Sequence, residues 1–375
     1  MRAPIRIYVI AGEASGDHHV GLLLQALRRL HPELEIRGWG GPALQSAGAQ
    51  LDVHYTAANF MGFVEVVRNL PRILGLFRKT KAAINSFNPD LLLLVDYPGF
   101  NLRMAKWAHR RGLSVNYFIA PQVWAWKERR VRILRECVQK LFVVLPFEVG
   151  FFNSHGISAT YHGHPLAERI HRFSATPGFR QQWKLDKRSI ITLVPGSRTQ
   201  EIRTLLPIYL RAVRDECKYQ IAIAGLRQHQ SLYESILNEE KCTAAVVYED
   251  MYNLLRHSRL AVVTSGTASL ETALFKIPMV VCYKGNFISY HIARHLIKVP
   301  FISLANLLAG NKIVEELIQD QCHPARISQV LQRLKTPIER KQIHDALSEL
   351  DKMLYKEHCY ELLARDFLLS FRKSV

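Results

Sequence analysis

The feature that most constrains this chain is a repeated unit. A short β-rich apolar run leads into a turn of small or charged residues, and then into a stretch with helical spacing of leucines. "IRIYVI" passes through "AGEASGD" into "VGLLLQALRRL", and "LEIRGWGG", "LLLLVDYPG", "LSVNYFIAP" and "KLFVVLP" repeat the opening half. A second series follows: "SIITLVPGSR", "YQIAIAG", "AAVVYED", "LAVVTSGTASLE" and "IPMVVCYK". Continuous apolar runs suit strands buried on both faces, and strands alternating with helices imply parallel sheets. The expectation is an α/β protein of two doubly wound, Rossmann-like domains facing a central cleft. Ligands would bind beyond the carboxyl ends of the strands.

Between the two series lies "HGHPLAERIHRFSATPGFRQQWKLDKRS", with turn residues and charges but no strand pattern. The expected boundaries are therefore a first domain at 1–165, a connection at 166–187 and a second domain at 188–345. A helical tail at 346–375 carries "IHDALSELDKMLYKEH" and "YELLARDFLLSFRK", and would pack back on the first domain or on a partner subunit of a homodimer. The 375 residues, 48% of them hydrophobic, are enough for two packed cores.

A net charge of +18 fits nucleic acid, an anionic membrane surface, polyanionic small substrates, or only a solvated basic surface. The chain carries no recognised nucleic-acid motif, and its aromatics sit beside aliphatic runs, so no nucleic-acid partner is expected. Six scattered cysteines without a CxxC pair read as reduced thiols of a cytosolic protein. The first apolar run is too short for a signal peptide, and no segment offers the about 18 uninterrupted apolar residues of a membrane span. A soluble or peripheral protein is expected.

Two turns in the second series suit a nucleotide. In "VPGSRTQEI", Gly196 lets the backbone approach a ligand, Ser197 can cap a helix or donate to an oxygen, and Arg198 presents a planar fork of donors. A helix start there adds exposed N–H groups. In "VVTSGTASLETAL", Ser265, Gly266 and Thr267 suit a diphosphate. Glu271, one turn beyond Thr267, suits paired ribose hydroxyls. Ordinary capped turns have the same look, but two such turns in one domain favour a nucleotide. With Glu201 these residues form the expected nucleotide-binding set. No DxD occurs, so a metal bridging a diphosphate has no obvious ligands, and no metal or cofactor is expected. His162 and His164 read as structural, with His164 still able to hydrogen-bond a ligand in the cleft.

In the first series, Asp96 closes a buried strand and is a general-base candidate, although most such aspartates are caps or turn formers. Glu13 and Asp17 belong to the same edge, and the pattern alone does not choose among the three. The stretch 59–81, "NFMGFVEVVRNLPRILGLFRKTK", interleaves large apolar residues with Arg68, Arg72, Arg78, Lys79 and Lys81. Gly62, Pro71 and Gly75 make it a poor core helix, and it suits an anionic membrane interface. "QVWAWKERRVRIL" and "FISYHIARHLIKVPF" repeat that theme, though each alone fits a core helix better.

Together "AGEASGD", "MGFVEV", "DYPGFN", "PQVWAW", "LPFE", "GHP", "PGSR", "SGTASLE" and "SLANLLAG" resemble the lipid-A-disaccharide synthases, inverting glycosyltransferases of GT-B fold. The motifs run in family order from residue 11 to about 310. The resemblance implies transfer of diacylglucosamine from UDP-2,3-diacylglucosamine to 2,3-diacylglucosamine 1-phosphate (lipid X), at the cytoplasmic face of the inner membrane. The products would be a β-1,6-linked disaccharide 1-phosphate and UDP. It further implies Asp96 as the base, Glu13 orienting it or the acceptor, Arg198 neutralising the departing diphosphate, and Asn306 positioning the donor. Other UDP-sugar enzymes of the same fold, peptidoglycan-type transferases or epimerases, have little use for the basic–apolar stretch.

Overall fold

The computed structural model describes residues 4–58, 69–126, 128–285 and 300–372. The chain forms two compact units: Met1–Pro165 with Lys356–Val375, and Leu166–Tyr355.

Unit 1 is built on a seven-stranded sheet. Its strands are β1 (Ile5–Ala11), β2 (Leu34–Gly40), β3 (Gln50–His54), β4 (Leu91–Val95), β5 (Ser114–Phe118), β6 (Lys140–Val143) and β7 (Ala159–Tyr161), in the order β3-β2-β1-β4-β5-β6-β7. Neighbours pair in parallel, with Ala11 opposite Val95, so β1 and β4 end level with each other. Alternate residues supply the two faces, as the two-residue period of a strand requires. Tyr8, Ile10, Leu92, Leu94 and Tyr117 join one core with Trp39, Phe77 and Phe100. Ile7, Val9, Leu91, Leu93 and Phe142 join the other with Leu23, Leu24 and Leu27 of the helix Ala14–Leu30 and with Phe367.

Unit 2 carries β8 (Ser189–Val194), β9 (Tyr219–Gly225), β10 (Ala245–Tyr248), β11 (Ser258–Thr264), β12 (Met279–Tyr283) and β13 (Glu315–Ile318), in the order β10-β9-β8-β11-β12-β13. Val194 lies opposite Val263, so β8 and β11 also end together. In each sheet the order reverses once, between β1 and β4 and between β8 and β11. These are the topological switch points where open α/β sheets bind ligands.

Residues 166–187 are more than a connection. Phe179 and Leu185 are buried with Ile190, Ala222, Val247 and Leu254, and the Thr176 N–H donates to Asn253 Oδ1 at 2.8 Å. Apolar anchors separated by turn residues lack strand or helix periodicity, which is why the stretch reads as a linker. The tail divides as well. The helix Pro337–Leu354 belongs to unit 2, where Asp351 accepts from His171 Nε2 at 2.8 Å and from Lys276 Nζ at 3.0 Å. The helix Cys359–Arg372 belongs to unit 1 of the same chain. It packs on Ala14–Leu30 and places Asp366 at 2.7 Å from Lys140 Nζ and 3.3 Å from His162 Nε2.

Of the basic–apolar stretch, 59–68, and with it Arg68, lies outside the described residues, as does 287–299 of the later one. The remainder enters the helix Leu70–Phe87. Pro71 sits in the first turn, where a missing N–H costs nothing, and Gly75 lies mid-helix with open space around it. Neither breaks the helix, contrary to the expectation from composition. Phe77, Ile84 and Phe87 face the core, while Leu70 and Leu74 are exposed. No helix among the described residues is long and apolar enough to cross a membrane.

Candidate active site

At the switch point of unit 2 a cavity of about 770 Å³ opens at the ends of β8, β9, β10 and β11. Gly196, Ser197, Arg198, Glu201, Ser265, Gly266, Thr267 and Glu271 all line it. Gly196 adopts φ 109°, and a Cβ there would lie 2.4 Å from Glu201 Oε2. The site thus needs glycine for both conformation and space. Glu201 folds back to accept from the Ser197 and Arg198 N–H groups at 3.2 and 3.3 Å. Its carboxylate therefore shapes the loop while also lining the cavity. The Arg198–Glu201 pair is long at 3.4 Å and Arg198 is 66% exposed, so the pair contributes little and a phosphate can displace it.

The second loop opens differently. Gly266 has φ 145°, and a Cβ there would meet nothing within 4 Å, so its backbone is accessible at the start of the helix Thr267–Leu274. Ser265 lines the cavity, but its hydroxyl donates to the Ile302 carbonyl at 2.8 Å. This bond ties the loop to the segment before the helix Leu304–Ala309. Glu271 accepts from the Tyr252 hydroxyl at 2.7 Å. Burial pushes its carboxyl above the usual range, while Tyr252 and the Arg169 guanidinium oppose the shift. Arg169 lies 4.9 Å over the Tyr252 ring. Both residues line the cavity, and neither is singled out by the sequence. Arg169 sits in "LAERI", which carries only a helical pattern.

Asn306 stands in the helix Leu304–Ala309. It is fully buried; Oδ1 accepts from the Ile313 and Val314 N–H groups at 2.8 and 2.9 Å, and Nδ2 donates to the Val314 carbonyl and Glu316. With both donors and both lone pairs engaged, it clamps the chain before β13.

At the switch point of unit 1 the chemistry is acidic. Asp96 and Tyr97 both adopt left-handed φ, 43° and 49°, a conformation that non-glycine residues rarely hold in succession. The turn is pinned by Asn101 Nδ2, which donates to the Asp96 carbonyl at 2.8 Å, and by the Tyr117 hydroxyl, which donates to it at 2.5 Å. Tyr97 packs so closely on Gly12 that a Cβ there would sit 2.4 Å from its ring. Burial and then the Glu13 charge raise the Asp96 carboxyl to about 6, with the Tyr97 N–H opposing. A carboxylate tuned in this way is ionised at neutral pH and more basic than an exposed one.

Asp17 has a different duty. It is buried, and accepts from the N–H groups of Gly41 (2.6 Å), Ala43 (3.0 Å) and Leu44 (3.1 Å), which fixes the turn into the helix Pro42–Ser46. His164 is buried, and desolvation pushes its imidazole down to about 4. His162 is the partner of Asp366 already described. Among the described residues no group of three or more His, Cys, Asp or Glu side chains could hold a metal ion.

Both units thus present turns rich in polar side chains at a Rossmann-type switch point. The fold is shared with MurG of Acinetobacter baumannii (14% identity, TM-score 0.60, covering 96% of this chain and 99% of that one). It is shared too with a UDP-GlcNAc 2-epimerase of Neisseria meningitidis solved with UDP-GlcNAc bound (12% identity, TM-score 0.58, covering 98% and 100%). The fold is the GT-B fold. A family model described as lipid-A-disaccharide synthetase matches residues 7–363. A lipid-A-disaccharide synthase of Myxococcus xanthus is 37% identical over 360 residues, 93% of each chain. The chain belongs to the lipid-A-disaccharide synthetase family.

Proposed function

We propose that this member of the family joins UDP-2,3-diacylglucosamine to lipid X, releasing UDP and the β-1,6-linked disaccharide 1-phosphate. The observation that carries the reading is the contrast between the switch-point turns: a guanidinium and open helix starts in unit 2, the half-buried carboxyls of Glu13 and Asp96 in unit 1. UDP belongs in the unit 2 cavity, its diphosphate against Gly266, Thr267 and Arg198, and its ribose at Glu271. Negative charge grows on the diphosphate as the glycosidic bond breaks. A guanidinium and oriented N–H groups therefore stabilise the transition state more than the ground state. In this reading they serve in place of a metal. Asp96 takes the proton from the acceptor 6-hydroxyl, Glu13 keeps that carboxyl basic, and a single displacement inverts the anomeric carbon.

Both substrates are anionic and acylated, which gives the charge of +18 and the basic–apolar stretch one cause. The protein would then work as a peripheral protein on the cytoplasmic face of the inner membrane. Binding to anionic vesicles should weaken with salt and with serine at Arg68, Arg72 and Arg78; unchanged binding would refute the membrane role. The test of the reaction is incubation of the purified protein with both lipids in a chelator. Disaccharide and UDP in equal amounts are expected. Absence of disaccharide, or epimerisation of UDP-GlcNAc, would contradict the reading.

A further inference from the structure

Asp96 shares its surroundings with a second carboxyl. A cavity of about 280 Å³ at the ends of β4, β5 and β6 is lined by Asp96, Ile119, Gln122, Leu145 and Glu148 among others. Glu148 is only 1% exposed, yet its side chain borders that cavity. One oxygen accepts from Trp124 Nε1 at 3.0 Å, the other from the Leu145 N–H at 3.0 Å, and the Val144 backbone adds a further bond. The carboxylate therefore ties "PQVWAW", which follows β5, to "LPFE", which follows β6. Trp124 meets Phe147 edge-on with centroids 4.9 Å apart, extending the tie into an aromatic contact. Ile119, at the head of the first segment, has φ 60°, where a β-branched residue is a genuine outlier. A wall bent in this way needs a firm anchor, and Glu148 is placed to supply it.

We propose that Glu148 is a positioning residue for the acceptor: through Trp124 and the Val144–Leu145 turn it fixes the wall beside which the acceptor sugar meets Asp96. The inference rests on the assignment of Asp96 to the acceptor. It goes further by giving the acceptor a binding wall and that wall a pH dependence. Burial, with a contribution from the Asp96 charge, raises the Glu148 carboxyl to about 7, while its N–H donors oppose the rise. Asp96 is the other titratable side chain lining the cavity. Charge-assisted bonds are the stronger ones, so the wall loosens as Glu148 gains a proton.

The experiment is steady-state kinetics on the full chain with each substrate varied, from pH 8 to 6.5. In Glu148→Gln the amide NH₂ faces an N–H donor where the carboxylate had an acceptor oxygen, and the acceptor KM should rise about tenfold, the loss of one charge-assisted bond. The KM for the UDP-sugar and the affinity for UDP should not change. Trp124→Phe should raise the acceptor KM similarly, and the double variant should be no worse than either single one. In the wild type the acceptor KM should rise as pH falls through about 7; in Glu148→Gln it should be flat. Should Glu148→Gln fail to fold, Trp124→Phe and the wild-type pH profile still decide. An acceptor KM within twofold of wild type, additive effects, or a flat wild-type profile each overturn the proposal. A wild-type protein that makes no disaccharide overturns the functional reading instead, so the two failures are distinct.

Discussion

In unit 1, β1 and β4 end together and release Gly12–Glu13 beside Asp96–Tyr97; in unit 2, β8 and β11 release Gly196–Ser197–Arg198 beside Ser265–Gly266–Thr267. The backbones do the same thing in both units. What differs is the cargo of the turns: paired acids in one, a guanidinium and open glycine backbone in the other. Glycine also serves unlike ends. Gly12 makes room for the Tyr97 ring, whereas Gly196 makes room for a carboxylate that shapes its own loop. In the proposed reaction one fold thus supplies both a proton acceptor and an anion cradle, and the turn residues decide which.

The contrast can be broken from either side. Asp96→Asn should lower kcat by roughly 10³–10⁴, within the range for a lost general base, as read by disaccharide formation. Arg198→Ala should cost about 10²–10³ in kcat and also weaken UDP, because its target is the leaving group. Gly196→Ala forces either a strained φ or displacement of Glu201, and about a tenfold loss of UDP affinity is expected by calorimetry. Glu13→Gln removes the like charge that helps raise Asp96. The acid limb of kcat at saturating acceptor, expected near 6 in the wild type with activity rising above it, should move to lower pH. Asp17→Asn should touch stability only: about 1.5–3 kcal/mol from a buried carboxylate that accepts three N–H groups, seen in the melting curve with kcat per folded molecule unchanged.

Much of this was legible in the sequence because switch-point residues lie next to their strands. "PGSR", "SGTASLE" and Asp96 follow apolar runs directly, so local pattern places them at strand ends. Arg169 comes from another segment and reaches its cavity only through tertiary packing, while Glu148 and Tyr252 stand in the helices after β6 and β10, a few residues beyond the strand ends. Glu148 could have been flagged as the acid in the first turn of a helix, but that position usually reads as a cap. Asn306 and Asp17 show the opposite limit. Their residue types suit ligands, and only the hydrogen-bond inventory shows their capacity used by the backbone. The region 166–187 hid its anchors, Phe179 and Leu185, among turn residues without a period.

The division of labour between the two switch points is tested most directly by UDP titration calorimetry on Asp96→Asn and Arg198→Ala side by side. Asp96→Asn should bind UDP with the wild-type Kd while forming almost no disaccharide, and Arg198→Ala should bind UDP at least several-fold more weakly. Loss of UDP binding in Asp96→Asn, or its full retention in Arg198→Ala, would contradict the account.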